Sequence, residues 1–133
     1  MNRVDDELAL LRRRFDNIEY RPDGQWVRIL TYAIPPDLWR PPVVQVAFQI
    51  PPEVAAAPYA FHARPLEGEA TSFQAVNDQA IGNYTYPANT PWGSDWGTFS
   101  WQLEEWQPTI PITAGTTMLD FARSFAARFS EGP

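Results

Sequence analysis

Hydrophobic and polar positions alternate at two different periods along the chain, and the period names the element. In "TTMLDFARSFAARF", Met118, Phe121, Ala122, Phe125 and Phe129 fall at helical spacing. They predict an amphipathic helix whose aromatic stripe faces a core. Thr117 is a natural N-cap for it, with Asp120 placed to complete a capping box. In "VVQVAFQI" the period is two: Val44, Val46, Phe48 and Ile50 line one face, and Gln45 and Gln49 punctuate the other. That pattern predicts a strand, ended by Pro51-Pro52 because proline cannot donate to a ladder.

The remaining segments read by the same rules. "VDDELALLRRRF" puts Val4, Leu8, Leu11 and Phe15 on one helical face. Asp5, Asp6 and Glu7 stand near its N-terminus and Arg12, Arg13 and Arg14 near its C-terminus, each sign where the helix dipole favours it. Asn17 to Pro22 reads as an exit and a short strand, and "RPDG" as a turn. "QWVRILTYAI" alternates Trp26, Arg28, Leu30 and Tyr32 against Val27, Ile29, Thr31 and Ala33, a strand of mixed burial. "DLWRPP" is a connector, and "PYAFHARPL" is the next strand, closed by Pro65. Glu67 to Asp95 is the least regular stretch, with room for a short strand in "AIGNYTY". "WGTFSWQLEEWQPTIPITAG" reads as an extended packing segment. The expected fold is α+β: an N-terminal helix, a four-stranded antiparallel meander, a long irregular segment and a C-terminal helix, in one domain spanning 1–133.

Composition removes several chemistries. The chain has 133 residues, 44% of them apolar, enough for a core without staples. It has no cysteine, so disulfides, zinc–thiolate sites and thioester formation are all excluded. The net charge of −6 makes nucleic acid a poor partner, because phosphate binding needs a basic face. No apolar run approaches the ~20 residues of a membrane helix, and no secretory signal is visible, so no membrane association and a cytoplasmic location are expected. All ten basic residues are arginines. This fits an arginine-favouring genome or avoidance of lysine in a pathway that acylates amines.

Candidate chemistry is sparse. His62 is the only histidine, and its place at a strand end suits a structural role; no second histidine can share a metal, so no cofactor or metal is expected. Asp5-Asp6 and Glu104-Glu105 suit a helix N-terminus and a solvated bend. The arginine run at 12–14 is either a solvated helix end or an anion or partner site. The stretch "NYTYPANTPWGSDWG" is different: Tyr84, Tyr86, Trp92 and Trp96 stand among Gly, Pro, Asn and Ser. Rings on such a loop are interface anchors or caps on the sheet, and they could also stack on a sugar.

The prolines and tryptophans carry a resemblance. Ile34-Pro35-Pro36, Ile50-Pro51-Pro52 with Pro58, and Trp96, Ser100, Trp106 and Pro108 before a final helix resemble the pattern of the ubiquitin-conjugating-enzyme (UBC) superfamily, in particular its prokaryotic family E. The similarity runs from about Leu8 to Phe129. It implies a UBC-like frame with a proline-rich loop between the third and fourth strands. Active relatives need a cysteine after the fourth strand; the matching window, about Pro65 to Trp96, has only Ser72 and Ser94 as hydroxymethyl groups, with no base nearby in sequence. The resemblance therefore implies a non-catalytic binding or scaffold protein of a bacterial ubiquitin-like conjugation system. Its expected partners are a ubiquitin-like protein, in single or tandem multi-ubiquitin form, and an activating-enzyme-like protein. Docking is expected through Pro51 and Pro52 and through Tyr84, Tyr86, Trp92 and Trp96. The alternative is a small acidic immunity or inhibitor protein that occludes a toxin.

Overall fold

A computed structural model of the chain describes residues 3–53, 56–66, 74–108 and 115–133. Helix α1 (Arg3–Arg14) leads into β1 (Ile18–Arg21) and β2 (Trp26–Ala33), joined by a 3-10 turn at Asp23–Gln25. Strands β3 (Trp39–Arg40), β4 (Val43–Gln49), β5 (Ala60–Pro65), β6 (Gln74–Ala75), β7 (Tyr84–Thr90) and β8 (Gly93–Ser100) follow, and α2 (Met118–Glu131) closes the order. The main sheet has six strands, all antiparallel, in the order β1-β2-β4-β5-β8-β7. Strands β3 and β6 pair separately as a short ribbon.

The α+β layout with a helix at either end of the order matches the sequence pattern. The strand count does not: the sheet has six strands where four were expected. The stretch read as irregular from Glu67 to Asp95 contains β7 and the turn into β8, and the segment read as extended packing begins as β8 itself. Residues 67–73 and 109–114 of those stretches, Ser72 among them, lie outside the described residues.

Helix α2 packs its predicted stripe onto one face of the sheet. Met118, Phe121, Ala122, Phe125 and Phe129 are all fully buried. Phe61 of β5 stacks on Phe125 at 3.9 Å and on Phe99 of β8 at 4.9 Å, while Phe48 of β4 meets Phe125 edge-on at 5.6 Å. Each buried phenylalanine contributes about 1.5–3 kcal/mol relative to exposure. The helix begins with the capping box expected of Thr117 and Asp120, whose two groups satisfy each other's backbone donors. Leu8 and Leu11 of α1 join the same core. Tyr32 seals it, donating its hydroxyl to the Ala122 carbonyl at 2.8 Å, and burial pushes its pKa up to about 12.

Tyr32 reaches that face through a bulge. Strict alternation would place it with Trp26 and Arg28, but the β2–β4 register shifts between Ile29 and Tyr32. One extra residue in a strand reverses every side chain beyond it. Val27, Ile29 and Tyr32 therefore share the core face, and Trp26 and Arg28 stay on the other.

Candidate functional site

The sheet's second face is where the functional candidates meet. Period two assigns Trp26 and Arg28 of β2, Gln45 and Gln49 of β4, and His62 and Arg64 of β5 to it. The β7–β8 hairpin curls over this face. Its turn carries Trp92 across to the far strands, where the ring lies beneath Arg28 at 4.9 Å and Arg21 at 5.3 Å. Trp92 also meets Trp26 edge-on at 6.3 Å and Trp96 at 6.4 Å. Arg28 is held in turn by Glu19 and by Gln45, whose oxygen accepts at 3.1 Å, and Gln45 donates on to the Pro65 carbonyl. Arg64 and Asp95 form an ion pair at 3.3 Å between β5 and the hairpin. A cation over a tryptophan is worth about 0.5–1 kcal/mol when exposed, as Arg21 is, and about 2 kcal/mol when desolvated, as the buried Arg28 is, so the layer fixes the hairpin as well as filling space.

Beside this layer lies a groove of about 670 Å3. Pro51, Pro52 and Tyr59 of the β4–β5 connection form one wall, Asn89 and Thr98 of the hairpin another, and Trp26 and His62 lie between. Local hydrogen bonds hold the proline wall in place. The Ile50 amide donates to the Gln25 carbonyl at 2.9 Å, Arg3 of α1 donates to the Pro51 carbonyl at 3.0 Å, and Gln49 donates to the Gly24 carbonyl at 3.0 Å. The turn that accepts the Ile50 and Gln49 bonds needs positive φ, at Gly24 (80°) and Gln25 (52°). Glycine takes that conformation freely, and it also leaves room for the Trp26 ring, which a Cβ there would meet at 2.9 Å.

His62 packs against the edge of Trp26 at 5.2 Å, opposite Ala47 and Thr98 in the ladder. Burial lowers its pKa, so the ring is neutral at pH 7. Among the described residues no group of three or more His, Asp or Glu side chains is placed to hold a metal. A groove of this volume, lined by apolar walls with a few amides and a hydroxyl, suits an uncharged ligand segment.

The six residues singled out in sequence divide by place. Pro51 and Pro52 line the groove. Trp92 lies half-buried in the layer behind it, and Trp96 is fully buried there. Tyr84 sits on the core side, packed on Phe99 at 4.8 Å over Gly97, where any Cβ would overlap its ring; burial raises its pKa to about 12. Tyr86 stands apart on the hairpin, 49% exposed. Ser94 is exposed on β8. Sequence reasoning missed Trp26, Tyr59 and Asn89. The available signal was positional: Trp26 comes one residue after the turn "RPDG", and Tyr59 follows Pro58, so both had to sit at the rim where strands begin.

No helix among the described residues is long and apolar enough to cross a membrane. Comparison with protein-family models, with curated proteins and with solved structures found no match to this chain.

Proposed function

We propose that this chain is a UBC-like, non-catalytic docking component of a ubiquitin-like conjugation system, and that the groove holds its partner. The observation that carries this reading is a convergence. The proline segment and the β7–β8 hairpin, separate in sequence, both line one groove, the hairpin through Asn89 and Thr98 while Trp92 and Trp96 lie behind it. Strands β1, β2, β4 and β5 also lie side by side in that order, with Pro51-Pro52 on the connection between the last two. This is the arrangement that the resemblance to prokaryotic family E implies, and the β7–β8 hairpin is an addition that supplies the second wall.

The occupant best suited to the groove is the extended tail of a ubiquitin-like protein. Prolines and aromatic rings offer contact area that loses little entropy on binding, while Asn89 and Thr98 offer hydrogen bonds to a peptide backbone. With no cysteine in the chain, no thioester forms on it, and its part is to present the tail to an activating-enzyme-like partner.

Calorimetric titration of the full chain with a ubiquitin-like protein and with an activating-enzyme-like protein from the same genome tests this. Binding to at least one is expected. Asn89→Arg and Tyr59→Ala, both at exposed groove positions, are expected to weaken it about tenfold or more, since each removes or blocks central contact area. Gln79→Arg, on the exposed surface outside the groove, is expected to change nothing. Absence of binding to both proteins removes the conjugation reading, and binding untouched by the groove variants removes the groove from it.

A further inference from the structure

A second cleft, of about 470 Å3, lies on the opposite side of the sheet from the groove, where α1 and α2 approach the outer part of β2. Its rim is formed by Arg14 and Phe15 at the end of α1, Thr31 and Ala33 of β2, and Arg123 and Ala126 of α2. Among the described residues no carboxylate lines it. Arg14 and Arg123 are exposed, and among the described residues neither forms an ion pair or a side-chain hydrogen bond. Arg14 rests over the Phe15 ring at 5.0 Å, and Phe15 in turn stacks on Tyr32 at 5.8 Å. Two uncompensated guanidinium groups thus converge from different helices on one cleft, in a chain of net charge −6.

The cleft also contains an open strand edge. Strand β1 pairs with β2 only from Trp26 to Ile29, and the Leu30 amide makes the last bond on that side, to the Asn17 carbonyl at 2.9 Å. Beyond it the edge of β2 has no neighbour among the described strands. The Ile34 amide donates inward to the Pro42 carbonyl at 2.8 Å. In an antiparallel ladder successive residues face opposite ways, so the N–H and C=O of Ala33 face outward into the cleft.

We propose that this cleft binds an extended acidic peptide segment, which adds to the open edge of β2 and places alternate carboxylates against Arg14 and Arg123. The residue opposite Ala33 shares Ala33's face of the sheet. Its two neighbours point the other way, toward α1 and α2, where the arginines stand. Strand addition supplies the backbone bonds, and charge sets the sequence preference. A free oxyanion would use the arginines and leave the edge unused, so the edge favours a peptide. This inference is independent of the groove and of the conjugation reading.

The test uses the full chain and the capped hexapeptide Glu-Thr-Glu-Thr-Glu-Thr, followed by amide chemical shifts. Saturable shifts at Thr31 and Ala33 are expected, with an affinity that falls as salt rises because the paired charges are exposed. The double variant Arg14→Gln/Arg123→Gln is expected to weaken binding about tenfold or more; both positions are exposed, so the fold is not at stake. A peptide with proline at the central threonine is expected to lose the shifts at Ala33, since it cannot return a hydrogen bond. The proposal is overturned if Arg12→Gln/Arg13→Gln weakens binding equally, which would make the attraction diffuse. It is also overturned if the proline peptide binds as well as the parent, or if inorganic phosphate alone abolishes binding while the β2 amides never move.

Discussion

A carboxylate buried at the start of another helix, as Glu7 is at α2, does two opposed things. Both of its oxygens lie 3.2–3.3 Å from the Met118 amide, which they accept from, and the side chain is only 2% exposed. It thereby caps a donor that the Thr117–Asp120 box leaves over. Burial nevertheless dominates and raises its pKa, against the Met118 bond and Arg3, which lower it. In the window between the ordinary carboxylate value and the raised one, the folded state binds more protons than the unfolded chain, so ionisation costs stability as pH rises. Glu7→Gln lacks this term. Urea titrations at a series of pH values from the ordinary carboxylate range upward are expected to show the stability difference moving in favour of Glu7→Gln and then levelling off once Glu7 is ionised in the folded state. Sequence alone placed Glu7 in an acidic first turn with Asp5 and Asp6, a local role. Its true partner lies 111 residues away, and no local pattern carries that pairing.

At the scale of elements, legibility followed how cleanly apolar and polar residue types alternate. Helix α2 packs one apolar stripe against the core, and β4, although buried on both faces, keeps its aliphatic row on one and Gln45 and Gln49 on the other, so a single period described each. The capping box was readable because it is a contact within four residues. Strand β2 was half-readable: its bulge changes phase inside the strand, and the pattern kept Tyr32 with the wrong neighbours. The β7–β8 hairpin was not readable as strands. Its β7 is an edge strand with Pro87 within it, largely exposed, and its β8 begins with Gly93, Ser94 and Asp95. Such a hairpin is defined by what it lies on, and Trp92 is its anchor. Trp92→Ala is therefore expected to raise amide exchange in β7 and at the start of β8 by about tenfold or more, equivalent to roughly 1.4 kcal/mol of local opening. Amides of β4 and α2 are expected to keep their protection, which distinguishes a loosened hairpin from a weakened molecule.

The whole molecule is a sheet with two unlike faces. One carries the phenylalanine core shared with both helices; the other carries arginines, amides and tryptophans under the hairpin. Phe125 sits where the first face converges, in contact with Phe48, Phe61, Phe121 and Tyr32. Phe125→Ala is expected to cost about 3–5 kcal/mol and to lower exchange protection in the helices and the central strands together. A change confined to α2 would mean that the helix and the sheet do not share one core. The groove and the cleft differ in chemistry and lie on opposite sides: the groove beside the tryptophan layer has no charged side chain among its described lining, and the cleft on the helix side is lined by arginines, although the chain as a whole is acidic. Trp26 at the groove touches Trp92, which touches Trp96. Light absorbed by any of these three indoles migrates to the others at such distances, so anything that settles beside Trp26 dims or shifts the emission of the set. The protein thus carries its own optical reporter of occupancy, and a screen of candidate ligands needs no dye.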